Sequence, residues 1–172
     1  MLLQLGEKYQ IRSFSGDDVP SLAHHANNPK IARNLRDSFP CLYSESDAQE
    51  WVEYVNNQTL ETHFAIALGK DAIGVIGLEL HGGMYAKLAE IGYWLGEPYW
   101  GRGVATQALQ TFTNYALTTY ELMLIFAIVI ESNSASIRVL EKANYTIEKR
   151  FHKSIVKNGE DVSSIIYSIT NG

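Results

Sequence analysis

The chain of 172 residues is long enough for one well-buried core and short for two, so we expect a single domain over residues 1–172. Its hydrophobic share of 46% and charged share of 19% are typical of an ordinary globular protein. The formal net charge of -5 argues against nucleic acid as the main partner, and the single cysteine, Cys41, excludes an internal disulfide and a cysteine-rich metal site.

The N-terminal third is predicted to be one strand followed by helices. The alternation of Tyr9–Phe14 predicts the strand. Capping-box spacings at Ser15–Asp18 and Ser44–Asp47 predict two helix starts, and Pro29 begins a short helical piece between them. The apolar residues after the second capping box fall on one helical face: Ala48, Trp51, Val52 and Val55.

The middle of the chain changes to a period of two. The segments HFAIALG, GVIGLELH and KLAEIGYWLG predict an antiparallel meander of three strands. Apolar residues at helical spacing predict a helix from Val104 to Tyr120. The run Leu122–Ile130 is entirely apolar, which is typical of a strand buried on both faces and far too short for a membrane span.

The C-terminal part is predicted to be a helix followed by a hairpin. The helix in SNSASIRVLEKANY is capped by Asn133 and ends at Asn144, a residue that tolerates the left-handed conformation. Asn158–Gly159 is a strong hairpin signal. The element order predicts a mixed α/β (α+β) fold, with a mostly antiparallel central sheet of about seven strands flanked by helices.

The stretch EPYWGRGVAT joins a predicted strand to a predicted helix and contains two glycines. The first turn of a helix has backbone N–H groups without intrahelical partners, and the helix dipole makes them a phosphate site. Gly101 and Gly103 would let a diphosphate lie against the backbone, with Arg102 adding charge and Thr106 a hydroxyl. A tight turn without a ligand is equally compatible with this loop alone. Dinucleotide-binding and P-loop patterns both fail, because the third glycine and the Gly-Lys-Ser/Thr sequence are absent.

Two longer stretches together resemble a known family. EIGYWLGEPYWGRGVATQAL, followed by ESNSASIRVLEKANY, is similar to the Gcn5-related N-acetyltransferase (GNAT) superfamily, and within it to the ribosomal-protein N-acetyltransferases of the RimJ/RimL type. The resemblance covers nearly the whole chain in the family's order. Trp100 stands where the superfamily usually has Gln or Arg, but the backbone donors of the loop do not depend on that side chain.

The resemblance implies an acyl-CoA N-acyltransferase fold and direct transfer of acetyl from acetyl-CoA to an amine, without a metal. The amides of residues 102–106 would hold the pyrophosphate, and pantetheine would pair with the strand end near residues 94–96, where a backbone N–H would meet the thioester carbonyl. The implied cofactor-binding residues are Trp94, Leu95, Gly96, Gly101, Arg102, Gly103, Val104, Ala105, Thr106, Asn133, Ser136 and Lys142.

The implied proton donor lies on the helix after the apolar strand. Asn133 caps that helix and, in the family, bonds pantetheine, while Ser136 lies near the CoA sulfur and donates to the thiolate. Many members use a tyrosine four residues further on, where this chain has Leu140. Tyr145 is a weaker substitute, because a tyrosine there usually packs in the core.

The base is the least defined group. Glu90 is on the strand beside the implied site, and it would deprotonate the amine through water or recognise its charge; pairing across the sheet is the alternative role. Glu79 and His81 on the neighbouring strand are further candidates. His24 and His25 fall in the helices that wall the acceptor side in the family. At most one of two adjacent helical residues is expected to face inward, and a surface position is the alternative for both.

Two function classes fit these motifs: an acetyltransferase, and a non-catalytic acyl-CoA sensor or structural module with the same fold. The acceptor is a protein N-terminus or a small-molecule amine, and the residues near the N-terminal helices do not say which. We expect no nucleic-acid or membrane partner and a cytoplasmic location, since the N-terminus shows no signal-peptide pattern. Dimers are frequent among such relatives, so a homodimer is compatible with the resemblance.

Overall fold

The computed structural model describes residues 1–171. The strands are β1 (Leu2–Leu5), β2 (Tyr9–Arg12), β3 (His63–Leu68), β4 (Asp71–Leu80), β5 (Leu88–Leu95), β6 (Leu124–Ile130), β7 (Thr146–Lys157) and β8 (Glu160–Thr170). The helices are α1 (Val19–Ala26), α2 (Pro29–Ala32), α3 (Glu45–Asn56), α4 (Val104–Thr119) and α5 (Ser134–Lys142). None of the helices within residues 1–171 has the length and apolar character needed to cross a membrane.

The eight strands are hydrogen bonded in the order β1-β2-β3-β4-β5-β6-β8-β7. The registered pairs are antiparallel except β5 with β6, which run parallel. The predicted mixed α/β fold with a mostly antiparallel sheet is therefore confirmed. The strand number is one higher than the seven expected, because the short segment Leu2–Leu5 pairs with β2 across a turn containing Gly6.

Local capping signals in the sequence correctly located the helix starts. Ser44 and Asp47 form both bonds of a capping box at the start of α3. Ser15 and Asp18 form another, which begins a short 3-10 turn leading into α1. At the other end of the chain, Asn158–Gly159 adopts positive φ angles of 50° and 80° in the β7–β8 hairpin, as the sequence predicted.

The chain divides into two compact units, the first formed by Met1–Gly77 with Tyr93–Ala108. Its core cluster combines α1, α3 and the facing residues of β3 and β4. The predicted apolar face of α3 is confirmed, since Ala48, Val52 and Val55 are buried, while Trp51 is half-buried against the same cluster. The first unit thus holds the N-terminal helices, the end of β5 and the first turn of α4.

The second unit is formed by Leu78–Gly92 and the chain from Leu109 onward. In β6 the burial alternates: Ala127 and Val129 are buried, whereas Ile128 is 43% exposed. The expectation that β6 is buried on both faces was therefore wrong. The physical reason is that α5 covers one face only, where Tyr167, registered opposite Ala127, donates to Glu141 of α5 at 3.2 Å.

Candidate active site

The glycine loop adopts a backbone conformation that requires glycine. Gly101 and Gly103 have φ angles of 72° and 78°, in the left-handed region that other L-residues rarely occupy. A Cβ built on either residue meets no protein atom within 4 Å. The two glycines are therefore needed for the turn itself, and the space beside their backbone is open to a ligand.

Helix α4 begins directly after this loop. The Gln107 amide donates to the Gly103 carbonyl at 3.0 Å, which is the first complete turn of the helix. The amides of Val104, Ala105 and Thr106 lie within that turn, where an N–H group has no acceptor inside the helix. Arg102 is exposed beside them, and backbone donors at a helix start, backed by the helix dipole, are the kind of group that favours an anion such as a diphosphate.

The end of β5 is already held by several protein contacts. The Gly96 amide donates to the Ile73 carbonyl at 2.7 Å, and the Trp100 indole Nε1 donates to the Leu95 carbonyl at 2.6 Å. The Trp94 ring packs edge to face on Phe39, with centroids 6.1 Å apart. The Gly96 N–H already donates to the Ile73 carbonyl of β4. The backbone N–H expected to bind the thioester carbonyl would therefore belong to a residue before Gly96.

Glu90 lies where the hydrogen-bonded register between β5 and β6 ends. Glu90 is registered with Phe126 in the last pair of that ladder, although β6 continues to Ile130. Residues paired directly across strands point to the same face of a sheet, and the His81 ring lies 5.7 Å from the Phe126 ring. Glu90 and His81, two of the candidate bases, are thus on one face of the second unit.

Helix α5 has the cap that the sequence predicted. The Asn133 side-chain oxygen accepts from the Ser136 amide at 3.2 Å, and Ser136 itself is half-buried in the first turn. Lys142 is exposed in the last turn of α5. Leu140, at the position where many members have the tyrosine acid, is fully buried and has no proton to donate. The weaker substitute, Tyr145, is a core residue whose hydroxyl is 2.7 Å from the Thr113 hydroxyl. Of the two hydroxyl groups considered as proton donors, that of the half-buried Ser136 is therefore more accessible than that of the buried Tyr145.

The predicted site residues therefore fall into two groups. The first unit contains the β5 end and the glycine loop, namely Trp94, Leu95, Gly96, Gly101, Arg102, Gly103, Val104, Ala105 and Thr106. The second unit contains Glu90, Asn133, Ser136 and Lys142.

One set of contacts near the loop was not predicted from the sequence. His25 and Asn28, at the junction of α1 and α2, contact Gly96 and Glu97, which lie about seventy positions further along the chain. His24 is exposed and His25 half-buried, in agreement with the expectation that at most one would face inward. Burial, followed by the neighbouring His24, lowers the pKa of His25, so its ring is neutral near neutral pH. The only signal in the sequence was Asn28–Pro29, which is typical of a helix start but says nothing of the distant contact.

Comparison with known proteins places the chain in a family. Residues 9–146 match the family model described as an acetyltransferase (GNAT) domain. The chain belongs to the GNAT acetyltransferase family. The uncharacterized N-acetyltransferase p20 of Bacillus licheniformis is 26% identical over 147 residues, which cover 83% of this chain and 81% of that protein.

Solved structures share the fold at lower identity. RimL, a ribosomal L7/L12 alpha-N-protein acetyltransferase solved with coenzyme A, has a TM-score of 0.86 at 19% identity, covering 99% of this chain and 98% of that one. The microcin C7 self-immunity acetyltransferase MccE, solved with acetyl-CoA and AMP, has a TM-score of 0.85 at 21% identity, covering 98% and 95%. Within residues 1–171 there is no cluster of three or more His, Cys, Asp or Glu side chains that could hold a metal ion.

Proposed function

We propose that this GNAT family member transfers acetyl from acetyl-CoA to a primary amine by direct attack in a ternary complex. The observation that carries the proposal is the loop before α4, where two left-handed glycines leave open space at the start of the helix. The residues present fit a CoA diphosphate. Named N-acetyltransferases among the relatives favour the enzyme over a non-catalytic sensor of the same fold.

In this proposal the cofactor contacts are made by backbone groups and by side chains. The amides from Arg102 to Thr106 hold the diphosphate, and the backbone at Trp94 and Leu95 pairs with pantetheine. The early end of the β5–β6 register supports that pairing, because β5 beyond Glu90 has no registered partner in β6. The further proposed CoA contacts are Asn133, Ser136 and Lys142.

The proposed chemistry requires one bond to form and one to break. The neutral amine nitrogen bonds to the thioester carbonyl carbon, the carbon–sulfur bond breaks, and the thiolate takes a proton. We assign that proton to the Ser136 hydroxyl, which water reprotonates, and the amine's surplus proton to Glu90 through water. Both assignments match the placement of Ser136 in the first turn of α5 and of Glu90 at the end of the β5–β6 register.

The acceptor belongs to one of two classes, a protein N-terminus or a small-molecule amine. Relatives with the same fold include an enzyme named for a ribosomal protein and one named for microcin self-immunity, so the fold does not select between the classes. A RimJ/RimL-type acceptor is the first to test.

The proposal further includes one acetyltransferase domain, because β4 and β5 each contribute residues to both units. It also includes a cytoplasmic location, a homodimer, and no nucleic-acid or membrane partner.

The test is release of free thiol from acetyl-CoA in the presence of a panel of amines and N-terminal peptides. Acceptor-dependent thiol release, with an acetylated product identified by mass spectrometry, is the expected result. Tight CoA binding without release for any acceptor class would favour the sensor. The absence of CoA binding would overturn the assignment of the glycine loop.

A further inference from the structure

The junction between α1 and α2 is bonded to the turn that leads into the glycine loop. This turn, Gly96–Trp100, joins β5 to the loop. The Asn28 Nδ2 donates to one Glu97 carboxylate oxygen at 2.8 Å, and the Lys30 ammonium forms an ion pair with the other. Residues that precede the central strands in the chain therefore hold the carboxylate at the start of this turn.

Aromatic packing reinforces the same contact. The His25 ring lies edge to face on Tyr99, with centroids 5.4 Å apart, and Tyr99 packs in the same manner on Tyr9 at 6.4 Å. Two further hydrogen bonds hold the ends of the turn. The Gly96 amide donates to the Ile73 carbonyl of β4, and the Trp100 indole donates to the Leu95 carbonyl. The conformation of the turn is thus specified by contacts along its length.

Asn28 has two separate roles, one for each end of its amide group. Its Oδ1 accepts from the Lys30 amide at 2.9 Å and caps α2, while its Nδ2 donates to Glu97. The Lys30 side chain is more than half exposed, and ion pairs at such exposed positions contribute little to stability on their own. Bonds from Lys30 and then Asn28 lower the pKa of Glu97, so its carboxylate is ionised and accepts from both.

We propose that Asn28 is a positioning residue for cofactor binding, which acts through Glu97 to hold the Gly96–Trp100 turn where the glycine loop can receive the diphosphate. The inference rests on the proposed function, since it assumes that the loop binds CoA. Acetyl-CoA affinity would then depend on a residue in the N-terminal helices, the part of the chain expected to wall the acceptor.

The experiment reverses the polarity of one hydrogen bond while keeping the helix cap. In Asn28→Asp, the aspartate oxygen still caps α2 but places a carboxylate against Glu97 in place of a donor. We expect the Kd for coenzyme A, measured by calorimetry on the full chain, to rise about fivefold to tenfold. Asn28→Ser, which retains a capping hydroxyl but lacks the amide, is the second variant should Asn28→Asp fold poorly.

The rescue variant distinguishes positioning from a general effect on stability. In Asn28→Asp with Glu97→Gln, the glutamine amide donates to the new aspartate, so the bond is restored with donor and acceptor exchanged. CoA affinity within about twofold of the wild type is expected for this pair. Asn57→Asp, at the exposed residue after α3, adds the same single negative charge outside the turn and serves as the matched control for Asn28→Asp.

The outcomes separate this inference from the proposed function. Failure of the wild-type protein to bind coenzyme A would overturn the proposed function. Wild-type binding with unchanged affinity in Asn28→Asp and Asn28→Ser would overturn the inference alone. Weakened binding that the double variant does not restore would also overturn it, because a role in stability, and not the bond to Glu97, would then explain the loss.

Discussion

The His25 imidazole lies directly against the α-carbon of Gly96. A Cβ at position 96 would be 2.9 Å from His25 Nδ1 and 3.1 Å from the Ile73 carbonyl oxygen, both inside ordinary contact distance. The φ angle of Gly96 is -56°, so the backbone itself would accept any residue. Glycine is required here by the close approach of α1 and β4, at the point where β5 ends.

Gly96→Ala is therefore expected to destabilise the protein by about 1–3 kcal/mol through overpacking. The measurement is urea unfolding of the two proteins at neutral pH. Gly92→Ala is the matched control, because a Cβ there meets nothing within 4 Å and its φ is not in the left-handed region. An equal loss of stability at both positions would point to a general cost of replacing glycine in this part of the chain, and the contact with His25 would not be its cause.

Replacing Gly103 tests the diphosphate site. Gly103→Val places a branched side chain in the open space beside the loop and strains a residue with φ of 78°. We expect at least about tenfold weaker CoA binding by calorimetry, with a stability loss of about 1–2 kcal/mol. Gly69→Val is the control, since Gly69 has a similar φ of 59° and open space in the β3–β4 turn. Equal CoA affinity in the wild type and Gly103→Val would remove the loop from the site.

Ser136→Ala tests the proposed proton donor. The cap of α5 uses the backbone amide of Ser136, so the substitution leaves the bond to Asn133 in place. Once an acceptor is identified, we expect kcat of Ser136→Ala to be about 10²-fold below that of the wild type, with the Kd for CoA unchanged. Ser134→Ala, at an exposed position one residue after the cap, is the control. An unchanged rate in Ser136→Ala would assign the proton to water.

The lowered pKa of His25 predicts how stability depends on pH. Because the folded pKa is below the unfolded value of 6.5, the unfolded chain binds the proton more readily between the two values. Stability should therefore decrease as the pH falls below about 6.5 and level off once the folded state is protonated as well. His24 and burial oppose the charged ring, and Asp71 favours it.

The corresponding measurement is urea unfolding of the wild type and His25→Gln between about pH 5 and about pH 7.5. The variant should lose less stability on acidification than the wild type, since glutamine does not titrate. His24→Gln, at the exposed neighbouring position, should keep most of the wild-type pH dependence. Identical pH dependence in the wild type and His25→Gln would show that another group is responsible.

Much of the fold was predictable because it depends on short-range signals. The capping box at Ser44–Asp47, the cap at Asn133 and the turn at Asn158–Gly159 each act within a few residues, and all three are confirmed. The burial of β6 was not predictable in the same manner. An apolar run does not show whether helices cover both faces of a strand, and here Ile128 stays partly exposed.

By itself, the sequence determined the order of the elements from β2 onward, the glycine loop before α4 and the capped helix α5, because these depend on local backbone preferences and hydrophobic periodicity. Only the tertiary structure decided that Gly96 donates to Ile73, that His25 packs on Gly96, and that Asn28 bonds to Glu97. These contacts join residues far apart in the chain. They depend on how helices and strands pack together, and no periodic pattern or motif in the sequence records that packing.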